Sequence, residues 1–238
     1  MSLLYRNNIN MLVCDMTGTI IKENNIIYKA MANSLKIVGY PATKEQQKKW
    51  PGLEKKQVFY NHIKNHYGND VRPITIMPIA DKAEDILKKE LEKEYFEKNN
   101  ISLVDDEVLH LFDNLRINGI KISLNTGYSK QLQHQIINHF ELEQHVDDFI
   151  SSEEVIYGRP FPYMIHRIME RNYILNVKNV AKIGDTLNDM KEGRNAGCGL
   201  NIGVLSGKED KKTLLKCGDV VINKITDLKN DDMPVFLL

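Results

Sequence analysis

Residues 11–19 read MLVCDMTGT, an apolar run that ends in an aspartate and a glycine-containing turn. A short apolar run bounded by a turn is typical of a buried strand, so we predict a strand over residues 9–14. Similar runs predict strands at 120–124, 148–150, 180–183, 199–202 and 220–222, and helical spacing of apolar residues lies between them at 107–117, 131–140, 162–171 and 187–196. This alternation predicts an α/β fold with a doubly wound parallel sheet.

Residues 26–99 break the alternation, because almost the whole segment reads as helical. The predicted helices cover residues 28–38, 43–48, 55–66 and 81–98, with Pro73 and Pro78 between the last two. A helical segment directly after the first strand suggests an inserted lid over the strand ends. We therefore expect an α/β domain formed by residues 1–22 and 100–238, and an all-helical cap formed by residues 23–99.

The composition restricts the classes of function further. The 238 residues include 32 basic and 32 acidic side chains, so the formal net charge is zero and provides no general attraction to nucleic acid or acidic membranes. No apolar run is long enough to span a bilayer, and the first residues lack a secretory signal. The three cysteines do not form a disulfide or zinc pattern. We expect a soluble, cytoplasmic protein, and the sequence leaves open whether it is a monomer or a homodimer.

Polar residues follow the first two long strands, at the edge of the sheet where ligands bind in a doubly wound fold. Asp15 ends the first strand, and a carboxylate there can act as a nucleophile on phosphorus. Gly18 lets the backbone curl so that its amides face an anion. Thr126 ends the next strand just before a helix, which suits its hydroxyl to holding a phosphoryl oxygen.

Two later segments add charge at the same predicted edge. Arg159, in the segment Gly-Arg-Pro-Phe-Pro, places a permanent cation that can neutralise charge on a transferring phosphoryl group. Asp185 and Asp189 lie four residues apart at a strand end and a helix start, and few carboxylates together with water suit Mg²⁺. Without a cation, these carboxylates and Asp15 would repel one another, and their pKa values would rise.

These four segments, in this order and at this spacing, resemble the signatures of the haloacid dehalogenase superfamily. The resemblance implies a flavodoxin-like or Rossmann-like core with a helical cap inserted after the first strand. It also implies that Asp15 is the nucleophile, that Thr126 binds the phosphoryl group and that Arg159 occupies a position held more often by lysine.

The same resemblance implies a Mg²⁺ cofactor. Its ligands would be Asp15, Asp185 and the backbone carbonyl oxygen of Thr17, with Asp189 in support. The candidate substrate-binding residues are Thr17, Gly18, Asn125, Gly127 and Tyr128.

Thr17 stands where most phosphatases of this superfamily carry a second aspartate, which protonates the leaving group. A threonine hydroxyl has no useful proton affinity near neutral pH, so the enzyme needs a good leaving group, another acid or a slow cycle. The phosphonatase branch also lacks this aspartate, since phosphonoacetaldehyde hydrolases form a Schiff base between a cap lysine and the substrate aldehyde. Lys55, three residues after Gly52, matches that lysine. Pro51 and Val58 depart from the methionine and histidine of that family.

Together these features predict a Mg²⁺-dependent phosphohydrolase that acts through an aspartyl-phosphate at Asp15 on a small phosphate ester or phosphonate. One alternative is a C–P hydrolase of the phosphonoacetaldehyde type, with Lys55 as the Schiff-base residue. Others are a phosphotransferase and a non-catalytic phosphate-binding or regulatory protein. The main prediction requires Asp15 to lie beside Asp185 and Asp189, with no salt bridge that permanently occupies it.

Overall fold

The computed structural model describes residues 3–67 and 72–229, and the chain divides into two compact units. One unit comprises Met1–Lys22 and Ser102–Leu238, and the other comprises Glu23–Ile101. The predicted domain ranges also include residues 1–2, 68–71 and 230–238, which lie outside the described residues. None of the described helices is long and apolar enough to cross a membrane.

Short strands and helices alternate along most of the chain. The strands are β1 (Met11–Asp15), β2 (Ile21–Lys22), β3 (Ser102–Leu103), β4 (Lys121–Thr126), β5 (Asp148–Ser151), β6 (Val180–Gly184), β7 (Leu200–Val204) and β8 (Val220–Ile222). The helices are α1 (Leu3–Arg6), α2 (Ile26–Ile37), α3 (Lys44–Gln47), α4 (Lys55–Tyr67), α5 (Pro73–Glu92), α6 (Val108–Ile117), α7 (Lys130–His139), α8 (Tyr163–Arg171), α9 (Leu187–Ala196) and α10 (Lys211–Leu214).

Within the described residues, six parallel strands form the main sheet, in the order β5-β4-β1-β6-β7-β8. The chain adds β4 and β5 on one side of β1 and then β6, β7 and β8 on the other, so the strand order reverses at β1. Asp15 pairs with Asn125, and Cys14 pairs with Ile183, which brings the carboxyl ends of β4, β1 and β6 together. Ligands bind at such a reversal point. The prediction of a doubly wound α/β fold is confirmed.

Apolar packing holds this sheet against its helices. All five residues of β1 are buried, as a strand covered on both faces requires. Side chains of α8 and α9 pack with residues of β1, β5 and β6 in one cluster, formed by Met11, Val13, Ile150, Met164, Ile165, Ile168, Val180, Ala196 and Cys198. A capping box between Thr186 and Asp189 begins α9 immediately after β6. The start of α9 is therefore fixed at the edge where the polar residues lie.

The second unit is helical, and α5 packs against both α2 and α4. The prediction that this last long helix begins at residue 81 was wrong, because α5 begins at Pro73. Proline is well tolerated at the first position of a helix, because the N–H that it lacks would have no intrahelical partner there. Pro78 removes one hydrogen bond within α5, but Ile76, Ala80, Ala83, Leu87 and Leu91 form a continuous buried face that holds the helix together.

The two-residue strands β2 and β3 were not predicted from the sequence. β2 and β3 pair antiparallel, with Ile21 opposite Leu103 and Lys22 opposite Ser102. Both belong to the first unit, and they flank the segment that forms the second unit. A pattern of two residues is too short to stand out from the sequence alone.

Candidate active site

Asp15 ends the central strand β1 and is buried, with 4% of its surface exposed. Its Oδ1 accepts a hydrogen bond from Arg159 Nη1 at 2.7 Å, and its Oδ2 accepts one from Thr19 Oγ1 at 3.3 Å. Burial and the neighbouring charge of Asp189 raise the pKa of Asp15, and the cation of Arg159 opposes this rise. The carboxylate is thus held in place through one oxygen by a strong ion pair and through the other by a weaker hydrogen bond. The expectation that no salt bridge occupies Asp15 is therefore wrong for Oδ1, which the buried Arg159 engages, and it holds for Oδ2.

Asp185 lies in a notch lined by two glycines. A Cβ atom at Gly18 would lie 2.4 Å from Asp185 Oδ2, and one at Gly207 would lie 2.1 Å from the same oxygen. Gly18 also has a φ of +89°, which favours glycine. The backbone N–H of Lys208 donates to Asp185 Oδ2 at 2.7 Å. The backbone at Gly18 and Gly207 therefore lies so close to the Asp185 carboxylate that a larger residue at either position would displace the carboxylate.

Asp189 lies in the first turn of α9, and its side chain is fully buried. Its Oδ2 accepts a hydrogen bond from the Thr186 hydroxyl, while its Oδ1 lies 3.0 Å from Lys182 Nζ and 3.2 Å from Arg159 Nη1. Burial alone would raise the pKa of Asp189, but these two cations and the hydrogen bonds from Thr186 and Lys182 together lower it. Asp185 behaves in the opposite way, since burial and the charges of Asp15 and Asp189 raise its pKa well above the ordinary value.

The three aspartates form a compact set of oxygen ligands. One carboxylate oxygen from each of Asp15, Asp185 and Asp189 lies within 4.8 Å of the others. Glu192 is buried beside them, so this part of the described chain holds four carboxylates against two cations, Arg159 and Lys182. Two negative charges are left in excess if all six groups are ionised. Hard oxygen ligands with an excess charge of this size fit a divalent cation such as Mg²⁺.

Lys182 and Glu192 are site residues that sequence reasoning missed. Lys182 lies in the middle of β6 and Glu192 on α9, and both side chains are completely buried. Lysine and glutamate are almost never fully buried unless they are paired. A lysine within the otherwise apolar strand Val-Ala-Lys-Ile, and a glutamate one helical turn after Asp189, were signals that could have found them.

Thr126 and its neighbours lie at the end of β4, beside Asp15. Thr126 is 3% exposed, and its Oγ1 accepts a hydrogen bond from the backbone N–H of Tyr128 at 3.1 Å, which leaves the hydroxyl proton to point elsewhere. Ser129 then caps α7 by accepting from the N–H of Leu132. Tyr128 is itself buried, and its carbonyl oxygen accepts from Ser151 Oγ at 2.7 Å. The turn at residues 126–129 is thus tightly fixed next to the nucleophile candidate.

Asn125 points into the protein and contacts charged groups. Its Oδ1 accepts hydrogen bonds from Arg159 Nη2 at 2.6 Å and from Lys182 Nζ at 2.8 Å. Its Nδ2 donates to both carboxylate oxygens of Glu192, at 3.0 and 2.9 Å. The side chain is completely buried, so its observed partners are residues of the protein. The predicted role of Asn125 in substrate binding stays a prediction.

Lys55 is the first residue of α4 and belongs to the second unit. Its Nζ donates to the carbonyl oxygen of Leu53 at 2.8 Å, and its charge acts on the buried carboxyl of Glu23 in the same unit. Burial raises the pKa of Glu23, and Lys55 opposes that rise. Lys55 is therefore a half-buried amine with a buried carboxyl near it, and its catalytic role stays a prediction.

Comparison with known proteins agrees with this geometry. A sequence profile described as haloacid dehalogenase-like hydrolase matches residues 12–202. The phosphonoacetaldehyde hydrolase of Bacillus mycoides is 35% identical over 106 residues, which cover 44% of this chain and 40% of that protein. The match therefore spans about two fifths of the length of that relative.

Solved structures agree over a larger part of the chain. A phosphonoacetaldehyde hydrolase-like protein from Oleispira antarctica aligns with a TM-score of 0.76 at 20% identity, over 93% of this chain and 90% of that one. A hydrolase from Pseudomonas syringae aligns with a TM-score of 0.76 at 17% identity, over 93% and 96% of the two chains. These structural similarities show a shared fold. Because the family profile covers most of its length, the chain belongs to the haloacid dehalogenase-like hydrolases.

Proposed function

We propose that this hydrolase is a Mg²⁺-dependent phosphohydrolase that uses Asp15 as its nucleophile and acts on a small phosphate ester or phosphonate. The observation that carries the proposal is the buried cluster in which the Asp15 carboxylate lies beside Asp185, Asp189 and Arg159. An ordinary structural carboxylate would be solvated or fully paired with cations. Here carboxylates outnumber cations at the point of the sheet where ligands bind.

In the proposed reaction an Asp15 oxygen attacks phosphorus. With a phosphate ester, the new O–P bond forms as the bond from phosphorus to the leaving oxygen breaks, and the leaving oxygen keeps that electron pair and takes a proton from solvent. With a phosphonate, the bond that breaks is P–C, and the leaving carbon keeps the electron pair and takes the proton. Water then hydrolyses the aspartyl-phosphate, which releases phosphate and restores the carboxylate. A Mg²⁺ ion bound by Asp15, Asp185, Asp189 and the carbonyl oxygen of Thr17 would supply charge neutralisation for the negatively charged substrate.

Arg159 contributes orientation to this step. Its ion pair engages Asp15 Oδ1, while Oδ2 receives the 3.3 Å hydrogen bond from Thr19. A carboxylate has two oxygens and about four lone-pair sites, so an ion pair at one oxygen leaves lone pairs on the other for attack. Thr126, held by its bond from the N–H of Tyr128, would donate its hydroxyl proton to a phosphoryl oxygen.

The test is turnover by the purified protein with Mg²⁺ on a panel of phosphate esters and phosphonates. Asp15→Asn removes the attacking charge and keeps the shape, so it should abolish turnover. Asp113→Asn is the matched control, because Asp113 pairs with His145 on the surface of the same unit and should leave turnover unchanged. Beryllium fluoride, which mimics an acyl phosphate, should bind the wild type and not Asp15→Asn. Undiminished activity of Asp15→Asn would refute the proposal.

A second candidate is hydrolysis of a C–P bond through a Schiff base at Lys55. The observation that favours it is the 35% identity with a phosphonoacetaldehyde hydrolase over 106 residues. Borohydride reduces an imine to a stable secondary amine, so reduction in the presence of phosphonoacetaldehyde should label the lysine that reacts. Mapping of the label to Lys55 would support this candidate. An active protein without labelled lysine would favour ester hydrolysis.

A further inference from the structure

The guanidinium of Arg159 is held at each of its three nitrogens. Nε donates to Glu192 Oε2 at 3.0 Å, and Nη1 donates to Asp15 Oδ1 at 2.7 Å. Nη2 donates to the backbone oxygen of Asn125 at 2.8 Å and to its side-chain oxygen at 2.6 Å. The side chain is only 2% exposed. Since the guanidinium is planar, anchoring all three nitrogens fixes the direction in which Nη1 meets Asp15.

The groups that anchor Arg159 are also bonded to one another. Asn125 Nδ2 donates to both oxygens of Glu192, and Asn125 Oδ1 accepts from Lys182 Nζ. Lys182 Nζ lies 3.7 Å from Glu192 Oε2 and 3.0 Å from Asp189 Oδ1. All three side chains are completely buried. Asn125, Lys182 and Glu192 thus form a buried network of one amide, one cation and one carboxylate that contacts Arg159 and Asp189.

We propose that Asn125, Lys182 and Glu192 are positioning residues: Asn125 and Glu192 hold Arg159 against Asp15, and Lys182 holds the carboxylate of Asp189. The inference rests on the proposed function for its catalytic consequence. A network of this kind matters because a nucleophile displaced by about 1 Å can lose about 100-fold in rate. The observed partners of these three side chains are other groups of the protein, so the effect that we propose for them passes through Arg159 and Asp189.

A double-mutant cycle tests this proposal. Glu192→Leu removes the acceptor for Nε, and it should lower kcat by about 100-fold while KM changes little, since the network acts on orientation and not on substrate binding. Glu192→Gln keeps one acceptor oxygen and should recover most of that loss. In an Arg159→Lys background, Glu192→Leu should cost little more, because lysine has neither Nε nor a planar fork for Glu192 to orient. A purely structural Glu192 would cost the same factor in either background, and that result would overturn the proposal.

Two further measurements separate positioning from folding and from the proposed function. Lys182→Met removes the cation beside Asp189 and should lower kcat. Lys121→Met, at the start of β4, is its control and should keep full activity, because Lys121 Nζ donates to the backbone oxygen of Asn172 and not to a group of the network. A crystal structure of Glu192→Leu should show Arg159 Nη1 beyond hydrogen-bond distance of Asp15 Oδ1. If the wild type turns over no substrate, the proposed function fails, and this structure still decides the inference: an unchanged 2.7 Å contact overturns it.

Discussion

Because two glycines line the notch around Asp185, we predict that one added methyl group at Gly207 disturbs this carboxylate. In Gly207→Ala the new Cβ would lie 2.1 Å from Asp185 Oδ2 and 2.5 Å from Asp185 Cβ and Cγ. Real Cβ atoms essentially never approach a neighbour more closely than 3.0 Å, so roughly 1 Å of movement is required. Either Asp185 moves, or the backbone at residues 206–208 moves and weakens the bond from the Lys208 N–H.

The magnitude follows from that displacement. Overpacking of this kind typically costs about 1–3 kcal/mol of stability. A displacement of about 1 Å in a catalytic site can cost about 100-fold in rate. We therefore expect Gly207→Ala to fold, to melt at a lower temperature, and to lose about two orders of magnitude in kcat/KM, with a higher Mg²⁺ concentration needed for half-maximal turnover.

The assay measures thermal melting together with Mg²⁺-dependent turnover. Gly119→Ala is the control, because Gly119 has a φ of +82° but its Cβ would meet no atom within 4 Å. Strain at such a position costs of order 1 kcal/mol, so this variant should also lose stability, but it should keep its activity and its Mg²⁺ dependence. Wild-type turnover and Mg²⁺ dependence in Gly207→Ala would refute the reasoning about the notch.

Three other predictions concern acid–base and thiol groups. Thr17→Asp places a carboxylic acid two residues after the nucleophile and should raise the rate of hydrolysis of ordinary phosphate esters by about 100-fold or more. No gain across a panel of esters would contradict the interpretation that Thr17 leaves the site without an acid for the leaving group. Burial raises the pKa of Glu23, so ionisation of this carboxyl destabilises the fold once the pH exceeds the ordinary pKa of glutamate. Glu23→Gln should therefore raise the melting temperature at pH 7 but not at pH 4. An equal gain at both pH values would contradict this cause. Burial raises the pKa of Cys198 to about 12 and also raises that of Cys14, so both thiols stay protonated at pH 8. A disulfide reagent at pH 8 should therefore label only the partly exposed Cys217, and Cys217→Ser should abolish rapid labelling.

The sheet and the convergence of its polar residues could be predicted because both follow from regular patterns. Apolar runs end at Asp15, just before Thr126 and just before Asp185, and parallel strands bring their carboxyl ends to one edge. The pairing of Lys182 with Glu192 could not be predicted, because it joins a strand to a helix through Asn125, which lies 57 residues before Lys182. The position of Lys182 inside an apolar strand hints that it is buried, but single-residue preferences assign lysine and glutamate to the surface, and only tertiary packing shows which groups pair.

The start of α5 shows the same limit in the second unit. Proline residues at 73 and 78 indicate a break when they are considered locally. In the structure the apolar face from Ile76 to Leu91 packs against α2 and α4, and this packing outweighs one missing hydrogen bond. Local preferences are weak compared with the burial of a whole helix face.

The pairing of β2 with β3 has a consequence for how this chain can be rebuilt. Because Ile21 lies directly opposite Leu103, the two points at which the inserted segment joins the sheet-bearing unit are hydrogen-bonded neighbours. Joining such adjacent antiparallel strands needs only a tight turn of two to five residues. If a short turn or a segment of another length replaced the insertion, the remaining connections would therefore not have to stretch.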